Sequence, residues 1–218
     1  MRGRAPWEME FCIHGSKGTR IFRSNRLLFC LRIETIFQGR KAMVQPAVRL
    51  LSAEDAAAYR RVRLQALREH PEAFGSSAED FAVQPLGDVA DRLGSQSERF
   101  SIFGAFVGGE LVGLVGFGRD GGLKVRHRGG IYQMYVTPEQ RGKGLGWLLL
   151  EYAVSHARQL SGLEEINLAV TVGNDSARRL YERFGFLFSH REPRYIKIDD
   201  RYYDIDWMVL SLQKGETK

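Results

Sequence analysis

Between residues 135 and 150 the chain reads YVTPEQRGKGLGWLLL, which places three glycines, Gly142, Gly144 and Gly146, within five positions, with Arg141 and Lys143 beside them. An apolar, β-branched run precedes this segment and an apolar run follows it, so the turn sits between a strand and a helix. Glycine admits positive φ and lets a ligand come close to the backbone. The first amides of a helix lack internal acceptors and carry a partial positive charge. The chemistry this combination suits is the binding of a pyrophosphate.

Two common phosphate cradles fit the segment poorly. A P-loop requires a hydroxyl residue after its lysine, and Lys143 is followed by Gly144. A Rossmann fingerprint requires Gly-x-Gly-x-x-Gly, and counted from Gly142 the third glycine falls on Trp147. A tight strand-to-helix connection with Arg141 and Lys143 as solvated charges is the plainer alternative.

The elements around the turn follow from periodicity and breakers. AVRLL (47–51) reads as a strand, and Ser52 and Asp55 offer caps for a helix over about 54–69 that buries Ala57, Val62, Leu64 and Leu67 and stops before Pro71. A weaker helix over about 78–93 is interrupted by Pro85 and Gly87. RFSIFGAFV (99–107) and LVGLVGFGR (111–119) form a hairpin through Gly108, Gly109 and Glu110. A strand at 129–136, the glycine turn and a helix over about 143–160 follow, then a strand at 164–172. Asn174, Asp175 and Ser176 are caps for a helix with Ala177, Leu180, Tyr181 and Phe184 on one face, closed by Gly185. Two or three strands remain in FLFSH, RYIKI and YDIDWMVLSL. This order predicts an α/β (α+β) fold with a mixed central sheet flanked by helices.

The run from Arg141 to Gly146 matches the Arg/Gln-x-x-Gly-x-Gly/Ala turn of the GNAT superfamily of acetyl-CoA-dependent N-acetyltransferases, and NDSARRLYERFGF (174–186) resembles its second signature. The resemblance extends from about Val48 to Leu212. It implies two adjacent parallel strands that splay apart and admit the pantetheine arm between them, with backbone contacts from Met134, Tyr135 and Val136. It further implies that the pyrophosphate lies on the amides of Arg141, Gly142, Lys143, Gly144, Leu145 and Gly146, and that Asn174 touches the cofactor. Tyr181 matches the tyrosine that stands near the thioester sulfur and protonates the departing thiolate, although its spacing from Ala177 and Phe184 is also a core spacing.

A phenol with an ordinary pKa of about 10 keeps its proton at neutral pH. Direct transfer to an amine needs no covalent enzyme intermediate, in keeping with a domain that has no cysteine after Cys30. The base is open between Glu79, Asp204, Asp206, Gln133 through a water, and solvent. Some protein N-terminal acetyltransferases of the superfamily carry a glutamate five residues before the position of Asn174, where this chain has Ala169. That difference favours a small-molecule amine over a protein amine as the acceptor.

The charged, tyrosine-rich segment 189–210 resembles the terminal segment that, with the first helices, frames the acceptor in a bacterial subgroup of the superfamily. His190 lies in it. His70, His127 and His156 have no metal-ligand spacing, and no metal is expected.

The net charge of +6 belongs wholly to residues 1–42, which hold nine Lys/Arg and three Asp/Glu, while residues 43–218 balance at 23 of each. A basic leader that is disordered or an over-extended start therefore precedes an acetyltransferase domain at 43–218. A nucleic-acid partner would depend on the leader alone and is not expected, and the leader's longest apolar run, Leu27–Leu31, is too short for a membrane span. The expectation is a cytoplasmic N-acetyltransferase using acetyl-CoA, with a homodimer compatible with the sequence. The rival class is a non-catalytic acyl-CoA-binding sensor.

Overall fold

In the computed structural model, which describes residues 45–213, the apolar alternation closes into one seven-stranded sheet. Its strands are β1 (Ala47–Leu50), β2 (Phe100–Val107), β3 (Glu110–Arg119), β4 (Arg128–Val136), β5 (Glu165–Thr171), β6 (Leu187–Ile198) and β7 (Arg201–Ser211), in the order β1-β2-β3-β4-β5-β7-β6. Every neighbouring pair is antiparallel except β4 with β5, so the sheet is mixed, as the element order predicts. The basic leader, with Cys12 and Cys30, lies outside the described residues. Among the described residues no helix is long and apolar enough to cross a membrane.

Successive residues of a strand face opposite sides, and here both sides are buried. Ile102 and Leu114 pack with Tyr59, Val62 and Leu67 of α1 (Ala56–Glu69). Their neighbours Phe103, Val115 and Phe117 pack on the other face with Leu149, Leu150 and Ala153 of α4 (Leu145–Arg158). The first face is completed by α2 (Ala78–Ala82) and α3 (Leu86–Gly94), the second by α5 (Asp175–Phe184). The result is a three-layer sandwich. In the β2–β3 hairpin Gly108 and Gly109 have φ of 61° and 82°, the left-handed pair that a two-residue turn matched to strand twist requires.

Several boundaries differ from the sequence reading. The helix expected over 54–69 opens with a 3-10 turn at Ala53–Asp55, and its buried face runs through Ala56, Tyr59, Arg63 and Ala66, leaving Ala57 exposed and Leu64 half-buried. The helix expected over 78–93 divides into α2 and α3 because Pro85 holds an extended ψ of 142° between them. The helix expected from 143 begins at Leu145, after Gly144 at φ 80°. FLFSH and RYIKI merge into one strand, β6, whose register slips between Phe188 and His190 and again between Glu192 and Ile196. The second slip absorbs Pro193, which cannot donate to a ladder, and Arg194 at φ 57°.

The first turn before α1 is fastened by Asp55. Its carboxylate accepts two bonds from the Arg49 guanidinium, at 2.6 and 2.7 Å, and one from the Ser52 amide at 2.8 Å. The bonds from Arg49 hold the acid down at about 2. A carboxylate held lower in the folded than in the unfolded chain contributes stability above its unfolded pKa, and that contribution fades as pH falls toward the folded value. Because Arg49 is half-exposed, we expect Asp55→Asn to cost about 1–2 kcal/mol in urea unfolding at pH 7. The difference from the wild type should shrink between about pH 4 and pH 2.

Candidate active site

Strands β4 and β5 run side by side for three residue pairs only. The ladder joins Arg128 to Glu165, Gly129 to Ile166 and Gly130 to Asn167, and then it stops. Both strands continue, to Val136 and Thr171, without a strand partner on their facing edges. On its other side β5 stays paired with β7 as far as Thr171 and Ile205. The parted edges open into a cavity of about 1090 Å³ that passes from the glycine turn to the β6–β7 hairpin.

A bulge starts the divergence. Tyr132 pairs with Gly116 and Tyr135 with Leu114, so Gln133 and Met134 together face the single residue Val115. Gln133 adopts φ 57°, a left-handed conformation that costs a non-glycine residue roughly 1 kcal/mol or more. Its side-chain oxygen accepts a bond from the hydroxyl of Tyr59 at 2.8 Å, and Tyr59 is buried in α1.

Two further bonds tie the parted strands to the same helix and the turn that follows it. The Tyr135 hydroxyl, at the end of β4, donates to Glu69 at 2.7 Å. That bond lowers the Glu69 carboxyl, while burial and the adjacent carboxylate push the Tyr135 phenol up. The Thr171 hydroxyl, at the end of β5, donates to the carbonyl of Glu72 at 2.7 Å, in the 3-10 turn Pro71–Ala73. One helical segment therefore braces both sides of the opening.

At one end of the cavity lies the glycine turn. Gly142 and Gly144 have φ of 75° and 80°, and a Cβ built on either would meet nothing within 4 Å. Both facts matter together. The backbone needs glycine, and the space before it is clear. Helix α4 starts at Leu145, so its first amides point into that space without intrahelical acceptors.

The residues singled out in the sequence are mostly brought to this one cavity. Met134 to Val136, Arg141, Gly142, Gly144 to Gly146, Asn174 and Tyr181 all line it. Lys143 is turned away, its ammonium donating to the Glu139 carbonyl at 2.8 Å and to Gln140 at 3.0 Å, so that only its backbone belongs to the turn. Arg141 donates to the Val136 carbonyl at 3.0 Å and stands 3.5 Å from Glu69, which anchors the turn to the end of β4. Asn174 caps α5, its side-chain oxygen accepting from the Ala177 amide at 3.2 Å.

Tyr181 packs against Phe186, with ring centroids 6.1 Å apart, and burial pushes its phenol up. The residue belongs to the core cluster and also lines the cavity. Both readings of the position thus meet in one residue.

The candidate bases separate. Asp206 is buried between Arg178 and Arg191, each at 2.7 Å, and those arginines lower its carboxyl. Asp204 accepts the Arg194 amide at 2.8 Å. Neither these residues nor Glu79 line the cavity, whose carboxylates are Asp120 and Glu192. Glu192 accepts from the Trp207 indole at 2.9 Å, and His190 stacks beside that indole at 6.2 Å. Sequence pattern missed Trp207, because its exposure to the cavity depends on the β6 register slips.

Comparison with known proteins places this geometry. The model of the acetyltransferase (GNAT) family matches residues 64–186. An L-methionine sulfoximine/L-methionine sulfone acetyltransferase of Pseudomonas aeruginosa is 34% identical over 105 residues, covering 48% of this chain and 60% of that protein. A spermidine N(1)-acetyltransferase of Vibrio cholerae is 32% identical over 88 residues, covering 40% and 51%. A mycothiol acetyltransferase of Thermobispora bispora is 28% identical over 202 residues, covering 79% and 63%. The chain thus spans less than two thirds of each of these relatives. Among solved structures, a GNAT-family acetyltransferase from Streptococcus pneumoniae shares the fold with a TM-score of 0.68 at 24% identity, covering 77% of this chain and 99% of that one.

If the brace holds the opening, Tyr59→Phe should leave Gln133 unpartnered and destabilise the protein by about 1–2 kcal/mol in urea unfolding. Thr171→Val should cost about 1 kcal/mol by the same mechanism. Amide hydrogen exchange should quicken at 131–136 in Tyr59→Phe and at 168–172 in Thr171→Val before it changes in the β2–β3 hairpin.

Proposed function

The chain belongs to the acetyltransferase (GNAT) family, and from that premise we propose that it is a cytoplasmic N-acetyltransferase that moves the acetyl group of acetyl-CoA to the primary amine of a small molecule. The observation that carries the reading is the end of the β4–β5 ladder at Gly130 and Asn167, with the glycine turn following the freed end of β4. A ligand with an amide-bearing arm and a pyrophosphate needs this pair of features in this order.

The residues fit acetyl-CoA. The free edge of β4 at Met134 to Val136 offers backbone partners to an extended arm. The turn from Arg141 to Gly146 offers helix-terminal amides and cleared space to a pyrophosphate, with Arg141 adding positive charge beside it. Asn174 sits where its amide can reach the same ligand. Bound acetyl-CoA supplies an acetyl group already activated as a thioester, open to direct attack by an amine.

Tyr181 holds the proton that the departing sulfur takes up. A buried phenol whose pKa is raised stays protonated across the physiological range, which is the state a general acid requires. The acceptor enters from the β6–β7 side, between Trp207, His190 and Glu192 on one wall and the segment after α1 on the other. Relatives named for acting on spermidine and on L-methionine sulfoximine support a small-molecule acceptor.

The test is thiol release from acetyl-CoA by the full chain across polyamines, aminoglycosides, amino acids and peptides. Turnover on one acceptor class is expected. Tyr181→Phe should lower kcat by roughly 10²-fold or more while CoA affinity by calorimetry changes less than about twofold. Gly144→Val, which puts a β-branched residue at φ 80°, should weaken CoA binding by at least about tenfold. Tight CoA binding with no release on any acceptor would instead identify a sensor module, and no CoA binding would defeat the reading outright.

A further inference from the structure

Arg63 is out of place by ordinary rules. It lies on the buried face of α1, one turn after Tyr59, and is 5% exposed. Arginine keeps its charge in proteins and carries five donors, so buried guanidinium groups are paired with acids or carbonyls. The other deeply buried arginine obeys this. Arg119 donates to the carbonyls of Arg126 and Ser161, at 2.6 and 2.7 Å, and stands 3.7 Å from Glu98.

Arg63 makes no hydrogen bond or ion pair among the described residues, and its Nη1 is buried without any partner. Its guanidinium carbon lies over the face of Phe74, 4.6 Å from the ring centre. Burial lowers its pKa, and no carboxylate opposes that. The group nevertheless lines the cavity, beside Phe74 of the segment that follows α1. Tyr59, on the same helix face, holds Gln133 at the bulge where the strands part. An uncompensated cation thus borders the cavity, one helical turn from the tyrosine that holds the bulge.

We propose that Arg63 is the specificity residue for the acceptor, and that the acceptor is a small amine that also bears a carboxylate, which the Arg63 guanidinium binds. This deepens the acetyltransferase reading and rests on it. The planar fork of a guanidinium matches the two oxygens of a carboxylate, and the pairing supplies the counter-charge that Arg63 lacks among the described residues. With the carboxylate seated on the α1 wall, the amine of the same molecule is left to face the parted strands. A polyamine, which brings only positive charge to Arg63, is disfavoured.

The experiment compares the twenty α-amino acids with their carboxamides and with spermidine, in wild type, Arg63→Met and Arg63→Lys. Two readouts are kept apart, ligand-induced rise in melting temperature and thiol release from acetyl-CoA, with CoA affinity measured in each variant as the check on folding. At least one amino acid should stabilise the wild type and be acetylated, with kcat/KM at least ~10-fold above that of its carboxamide. Arg63→Met should erase that preference while CoA affinity stays within about twofold, and Arg63→Lys should keep part of it.

Carboxamides or spermidine performing as well as the carboxylates would overturn the proposal. So would a panel in which no amino acid raises the melting temperature. A loss of CoA affinity in Arg63→Met with the carboxylate preference intact would give the guanidinium to CoA instead and overturn it as well. Carboxylate binding through Arg63 without CoA binding would support the assignment of Arg63 while sinking the acetyltransferase reading, so the two claims fail separately.

Discussion

Everything that could do chemistry in this protein depends on two parallel strands ceasing to pair. Neighbouring strands gain from completing their ladder, so a gap inside a sheet has to be held open by other contacts. Here α1 and the 3-10 turn after it supply them. Tyr59 and Glu69 secure β4 through Gln133 and Tyr135, and Glu72 secures β5 through Thr171. The bulge at Gln133 turns β4 away, while β7 keeps β5 fully bonded on its far side. The cost of the gap is thereby confined to the facing edges, which are the groups left free to meet a ligand.

The binding surface this creates is mostly backbone. Side chains with positive charge flank the turn, yet Lys143 folds back on Glu139 and Arg141 is partly engaged with Val136 and Glu69. Amides at the start of α4 and along β4 remain. Backbone donors held by secondary structure need no reordering when a ligand arrives, which makes them economical for a cofactor shared by many acceptors. Side-chain groups are added to the same cavity by Trp207, His190 and Glu192, which lie together, and by Arg63 of α1.

Much of this was legible in the sequence, because the signals were local. Gly142 and Gly144 announce a turn whose φ values only glycine adopts easily, and Asn174 sits one step before its helix as a cap should. The mixed sheet and the closing of α5 by Gly185 followed from period and breakers. Long-range features were not legible. Arg63 was not singled out in the sequence, and only the packing of α1 on the sheet shows it to be buried. Gln133 carries no mark of left-handed geometry, which arises from a bulge between strands. Asp206 was a fair candidate base until two arginines from α5 and β6 were found to hold it. The single long strand β6 was hidden because Pro193 interrupts its pattern.

The central claim is that the parted strands and the glycine turn together receive acetyl-CoA. Amide hydrogen exchange of the full chain with and without saturating CoA tests it residue by residue. The account predicts that exchange slows by at least about tenfold at amides within 134–136 and 142–146, with the β2–β3 hairpin unchanged. Bound CoA that leaves both segments exchanging as before, or that protects some other surface, would contradict it.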